Sequence, residues 1–261
     1  MSNIKKAFQN GRAFIGFLTG CDPDFEGGLE NILAMARGGA DLIEIGIPFS
    51  DPVAEGPIIQ AANLRALSSG ATTERLFELV ERVREETDIP LVFLTYLNPV
   101  FKYGYGRFFA RCAKAGVDGI IIPDLPYEEK GEVAPYAEQH GVDIITLVAP
   151  TSHARVREIA ASAQGFLYLV SSMGITGVRN EIRTDLAAIV KEIRAVSAVP
   201  IAVGFGVNTP GQAKEIGSAA DGVIVGSALV KLAAEQGKDA SQAIEAYVRQ
   251  MKQAVTGEIN L

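Results

Sequence analysis

Two hydrophobic patterns alternate along the chain. Four stretches, GADLIEIG at 39–46, GVDGIIIP at 116–123, GVDIITLV at 141–148 and AADGVIVG at 219–226, put a small turn ahead of an apolar run. Glycine suits the left-handed position that ends a helix, Asp favours a tight turn, and the largely β-branched run that follows has the pattern of a strand buried on both faces. IPLVFLTY at 89–96 and VPIAVGFG at 199–206 enter the same kind of run through an apolar-Pro pair, and AFIGFL at 13–18 and GFLYLV at 165–170 bring the expected strands to eight. Between them ERLFELVERVREE (74–86), RFFARCAKAG (107–116) and DLAAIVKEIRAV (185–196) place apolar residues at i, i+3 and i+4, the spacing of a helix with one buried stripe.

Eight doubly buried strands alternating with helices predict an α/β fold of the (β/α)8 TIM-barrel type, one domain over residues 1–261. A doubly wound open sheet is the alternative, but GFLTGCDP lacks a GxGxxG after the first strand, and GFGVNT at 204–209 has Thr209 where the third glycine belongs. The IKKAFQN segment predicts an extra N-terminal helix with Ile4 and Phe8 on one face, suited to plugging the barrel bottom.

Composition narrows the partners. The chain has 261 residues, 48% of them hydrophobic, and 24 basic against 31 acidic residues give a net charge of -7 with no like-charged block. No electrostatic footprint for nucleic acid or an anionic membrane results, so an anionic ligand must be held locally. Cys21 and Cys112 lie far apart and match no zinc or CxxC spacing, and neither His140 nor His153 has a neighbouring ligand pattern, so no metal is expected. Lys5 and Lys6 have no apolar run behind them, and no run of 18 apolar residues occurs anywhere. A cytoplasmic protein without signal peptide or membrane span is expected.

In a barrel of this type the chemistry sits on the loops after the strands. The second strand runs into IPFSDPVAEGP, where Pro48, Pro52 and Pro57 argue against regular helix, and the sixth runs into SSMGITGVRNEIRT at 171–184, a candidate lid with Gly174 and Gly177 as hinges. Glu44 shares a face of its strand with Leu42 and Gly46, while Ile43, Ile45 and Ile47 share the other. With the isoleucines against helices, Glu44 points into the barrel, where burial raises its pKa toward that of a general acid/base; a buried ion pair is the alternative. Asp51, in SDP, fits a turn-shaping or partner-contact role better than catalysis. Glu55 is either a solvated loop charge or a second working carboxylate. Gly177, Gly204 and Gly206, and the helix start at Gly226 and Ser227, could converge as a phosphate cradle at the usual barrel position after strands seven and eight.

The runs EIGIPFSDPVAEGPIIQAANLRAL, GVDGIIIPDLP, SSMGITG, GFGVNTP and VGSALVK resemble, in order and over nearly the whole chain, the tryptophan synthase α chain family. The resemblance implies retro-aldol cleavage of indole-3-glycerol phosphate to indole and glyceraldehyde 3-phosphate. It implies Glu44 as the proton-transfer group and Glu55 at the position of the family's second carboxylate, an Asp, so this chain departs there by one methylene. Gly177, Gly206, Gly226 and Ser227 match the phosphate cradle, Phe17, Leu94, Tyr96, Tyr168 and Phe205 the indole pocket, and Thr176 the lid threonine that meets the second carboxylate. Asp51 and Pro52 lie on the side that faces the partner. That partner is a pyridoxal-phosphate β chain in an α2β2 heterotetramer, with no cofactor in this chain. A free-standing lyase, or an α-like allosteric binding subunit weakened by Glu55, are the other readings of the same residues.

Overall fold

A computed structural model describes residues 2–149, 153–170, 179–204 and 206–258. Its strands are β1 (Ala13–Thr19), β2 (Leu42–Gly46), β3 (Leu91–Leu94), β4 (Gly119–Ile121), β5 (Asp143–Val148), β6 (Leu167–Val170), β7 (Ile201–Gly204) and β8 (Gly222–Val225). Each pairs in parallel with the next and β8 pairs with β1, closing the ring in chain order. All eight expected strands are present, and closure removes the open-sheet alternative.

The helices are α1 (Phe25–Arg37), α2 (Pro57–Ser68), α3 (Thr73–Arg84), α4 (Leu97–Tyr103), α5 (Tyr105–Ala115), α6 (Ala134–His140), α7 (His153–Ala161), α8 (Arg179–Arg194), α9 (Pro210–Gly217), α10 (Ser227–Gln236) and α11 (Ala240–Thr256). Caps explain several boundaries. Asp24 accepts from the Gly27 N–H to start α1, and Thr209 and Gln212 form a reciprocal capping box ahead of Pro210. Gly116 ends α5 at φ 90, the left-handed position its sequence context predicts.

Two expectations change. Pro57 does not prolong the second loop but occupies the first turn of α2, where a missing N–H costs nothing, so that loop spans residues 47–56. Residues 179–184, expected as part of the long sixth loop, are the first turns of α8, since nothing after Gly177 in VRNEIRT breaks a helix.

Alternation along each strand separates two apolar layers. Ile43, Ile45 and Ile47 pack outward with the helices, while Leu42, Val92, Ile121, Ile145 and Ile224 fill the barrel interior. Ile4 is fully buried in that interior cluster, and the Phe8 ring lies 5.8 Å from that of Phe166, so the N-terminal segment does plug the bottom. It is a 3-10 helix over Ile4–Phe8 rather than an α-helix, short and tied at its entry by the Asn3 N–H to Asp118 Oδ1 at 2.8 Å. With the bottom closed, the described polar groups of the site gather at the strands' carboxyl ends. No helix among the described residues is long and apolar enough to cross a membrane.

Candidate active site

Glu44 is the odd residue in the interior. It is 1% exposed on β2, level with Phe17 on β1 and Val92 on β3, and its Oε1 has no hydrogen-bond partner among the described residues. Among the described residues no cation is paired with it, so the expected alternative of a buried ion pair finds no partner there. Desolvation acts unopposed and pushes its pKa up to about 8. Tyr168, on β6, feels the same burial and the Glu44 charge in addition, which holds its phenol well above the usual range and puts the two side chains in electrostatic reach.

This carboxyl costs the fold stability at neutral pH. The unfolded chain releases the proton near the ordinary 4.5 and the folded chain near 8, so between those values the folded state binds more protons and stability falls as pH rises. Glu44→Gln removes the titration. The melting-temperature advantage of the variant over the parent is therefore expected to grow from pH 4.5 to pH 8 and to level off above; thermal scans giving a pH-independent difference would remove the buried, raised carboxyl.

Glu55 sits half-buried in the loop after β2 and is not a solvated charge. Its Oε2 accepts from Nδ2 of Asn63 at 2.7 Å and its carbonyl from Nε2 of Gln60 at 2.8 Å. Burial raises its pKa and the Asn63 bond opposes that shift. Asn63 is 3% exposed on α2, and α2 is itself anchored: Arg65 grips Asp22, 6% exposed in the loop after β1, through two bonds of 2.8 Å. On the other side the Ala54 N–H donates to the Tyr96 hydroxyl at 2.9 Å. Tyr96 is 2% exposed, its ring 5.3 Å from Phe49, and burial, with Glu55 and Asp124 adding negative charge, pushes its pKa up to about 12. Tyr96 therefore does more than line an apolar slot, for it holds the backbone beside Glu55.

Around Glu44 the apolar walls are close-fitted. A Cβ on Gly46 would stand 2.9 Å from Cζ of Phe17, so glycine there makes room for the ring. Gly204 does the same for the Tyr168 hydroxyl. Leu94, half-buried, pairs in register with Gly46. Phe17, Leu94 and Tyr168 thus come together at the end of the barrel where Glu44 sits, while Phe205 lies outside the described residues.

The described residues expected to form an anion cradle lie on neighbouring strand ends. Gly206 follows β7, exposed at φ 75, and Gly226 and Ser227 open the ten-residue α10 after β8. The first return bond of that helix is Val230 N–H to Gly226 O at 3.1 Å, which leaves the preceding N–H groups for a ligand at the helix's positive end. Gly177, Gly174 and Thr176 lie outside the described residues. Asp51 is exposed and accepts from the Ser50 hydroxyl, a turn-shaping contact, and Pro52 is half-buried beside it.

Asn63 and the Asp22–Arg65 pair were not singled out from the sequence. A signal existed: Asn63 shares the buried face of α2 with Ala62 and Ala66, and a lone amide on an apolar face needs a partner.

Comparison with known proteins agrees with this arrangement. A family model described as tryptophan synthase alpha chain matches residues 2–256. The tryptophan synthase alpha chain of Lacticaseibacillus casei is 53% identical over 255 residues, covering 98% of this chain and 96% of that one, and that of Lactiplantibacillus plantarum is 49% identical over 258 residues, covering 98% and 97%. The crystal structure of tryptophan synthase subunit alpha from Legionella pneumophila superposes with a TM-score of 0.89 at 36% identity, covering 99% of this chain and 100% of that one. The barrel, the carboxylate buried inside it and a match along nearly the whole length together place this chain in the tryptophan synthase alpha chain family.

Proposed function

We propose that in the family's reaction, the cleavage of indole-3-glycerol phosphate to indole and glyceraldehyde 3-phosphate, Glu44 moves the protons and Glu55 steadies the indole nitrogen. The observation that carries this reading is the unpaired Glu44 carboxyl inside the barrel, whose pKa of about 8 keeps it mostly protonated at neutral pH. The reaction begins with that acid form. Glu44 gives its proton to indole C3, positive charge develops on the ring nitrogen, and the Glu55 carboxylate, aimed by Asn63, holds the N–H. Glu44, now a carboxylate, takes the proton of the side-chain hydroxyl. The C–C bond then breaks, its electron pair restoring the indole ring while the hydroxyl carbon becomes the aldehyde. One residue thus returns to its starting state within a turnover.

Phe17, Leu94, Tyr96, Tyr168 and Phe205 serve as the indole pocket, and Gly177, Gly206, Gly226 and Ser227 take the phosphate. Thr176 takes the part of the family's lid threonine, whose partner here is Glu55. The chain works without a cofactor of its own, in the cytoplasm, as the α member of an α2β2 assembly whose β chain carries pyridoxal phosphate.

The partner surface lies on the carboxyl-end face. Asp51 and Pro52 belong to it, and so do three exposed apolar side chains, Val53 at 83% in the same loop, Leu64 at 62% on α2 and Phe101 at 67% on α4. Phe101→Ala is expected to weaken β-chain affinity by at least about tenfold while changing the indole release of the isolated chain less than about twofold. Titration calorimetry showing unchanged affinity would move the interface elsewhere.

The direct test is indole release from indole-3-glycerol phosphate by the purified chain, alone and with a β chain. Release that rises on adding the β chain supports the α-subunit reading. Release that the β chain leaves unaltered supports a free-standing lyase, and no release in either case supports a silent binding subunit.

A further inference from the structure

Between β4 and β5 the chain covers the barrel wall sparingly. It carries a 3-10 stretch, Tyr127–Glu132, and then α6, only seven residues long. Beside the 3-10 stretch a cavity of about 230 Å³ lies against β5 and the segment after β4. Leu125 and Tyr127 wall it on one side, Val156 and Ile159 of α7 on the other, and the outward face of β5 forms its floor.

Two polar side chains that line this cavity lack partners among the described residues. Thr146 alternates with Ile145 and Leu147, so its side chain turns away from the barrel interior; it is 9% exposed, lines the cavity, and its Oγ1 has no hydrogen-bond partner among the described residues. A buried hydroxyl in that state is a standing cost unless something fills the space beside it. Lys130 also lines the cavity, half-buried, and forms no ion pair among the described residues. Burial is the main influence on its ammonium and pulls the pKa down, while Glu138 and Asp143 act on it only across space. Arg155, the other cation at the rim, is already engaged by Glu128 through bonds of 2.8 and 3.1 Å.

We propose that this cavity is a second small-molecule site, for a monocarboxylic acid with one ring or a branched alkyl body, its carboxylate held by Lys130 and the Thr146 hydroxyl. The apolar walls take the body. The volume lies under the about 300 Å³ at which sites for drug-sized ligands begin, which limits the occupant to monocyclic size. An ammonium and an unpartnered hydroxyl donor lining one cavity favour a carboxylate over a neutral group of the same shape.

Benzoate is the probe. Titrated into the full chain with methyl-labelled Ile, Leu and Val, it is expected to shift the signals of Leu125, Val156 and Ile159 saturably in the millimolar range. Lys130→Met should weaken it at least tenfold and Thr146→Val at least threefold, with circular dichroism and indole release of both variants unchanged. Benzyl alcohol should bind at least tenfold more weakly than benzoate, and saturating inorganic phosphate should leave the benzoate affinity unaltered. The proposal falls if benzoate produces no saturable shift, if the shifts centre on Leu42 and Leu94 in the barrel, if phosphate competes, or if folded Lys130→Met binds benzoate as the parent does.

Discussion

Glu44→Gln is expected to lower indole release by at least about a thousandfold while leaving the affinity for glycerol phosphate within about twofold. The substitution keeps the shape of a side chain that is 1% exposed, and so does not open the interior, but it removes the proton that the reaction spends and recovers. The proposed phosphate contacts are on Gly206, Gly226 and Ser227, after β7 and β8, while Glu44 stands on β2. A loss seen in kcat and kcat/KM with binding preserved marks an interaction made in the transition state. The parent's pH profile follows from the same group. Because the acid form must start the cycle and its pKa is about 8, kcat/KM is expected to fall as pH rises through that value, with a slope the variant lacks. Equal loss of turnover and of glycerol phosphate binding would show that Glu44 shapes the pocket instead of moving protons.

Much of this site was written in short-range pattern. The alternation of Leu42, Glu44 and Gly46 with three isoleucines is enough to aim Glu44 inward, because a strand has only two faces and the isoleucines claim the helix-covered one. Gly226 and Ser227 were equally legible, since a glycine between an apolar run and an amphipathic segment marks a strand end and a helix start at once. What the pattern did not carry is long-range pairing. Glu55 has the same local sequence whether it is solvated or buried, and its state is decided by Asn63, which reaches it from the second turn of α2. Asp22 and Arg65 stand 43 residues apart, and the parallel pairing of β1 with β2 brings the loop after β1 against α2. Pro57 was misjudged for a local reason: the same missing N–H that breaks a helix interior is harmless in its first turn.

Glu55→Gln is expected to cost about 10² to 10³ in kcat with little change in KM, the effect of neutralising a group that stabilises charge developing only in the transition state. Gln keeps the length of the side chain, so the 2.7 Å contact with Asn63 survives in geometry and the lost charge alone is tested. Glu55→Asp separates charge from reach. It gives the residue that the family resemblance implies but retracts the carboxylate by about one C–C bond, roughly 1.5 Å, where tolerances at such groups are about 0.5 Å. The loop around it is fixed on both sides, by Ala54 to Tyr96 and by the Glu55 carbonyl to Gln60, and α2 is held by Arg65 to Asp22. Backbone so constrained does not follow a shortened side chain. Glu55→Asp should therefore lose on the order of tenfold in kcat, less than Gln because the charge remains. Asn63→Ala should reproduce much of the Asp loss in the parent and add little on top of Glu55→Asp, since the amide's only role in turnover is to aim the longer carboxylate. Steady-state kinetics of the three variants and the double mutant decide the matter. A rise in turnover with Glu55→Asp would mean that the loop never adapted to glutamate, and that this chain is a weakened member of its family.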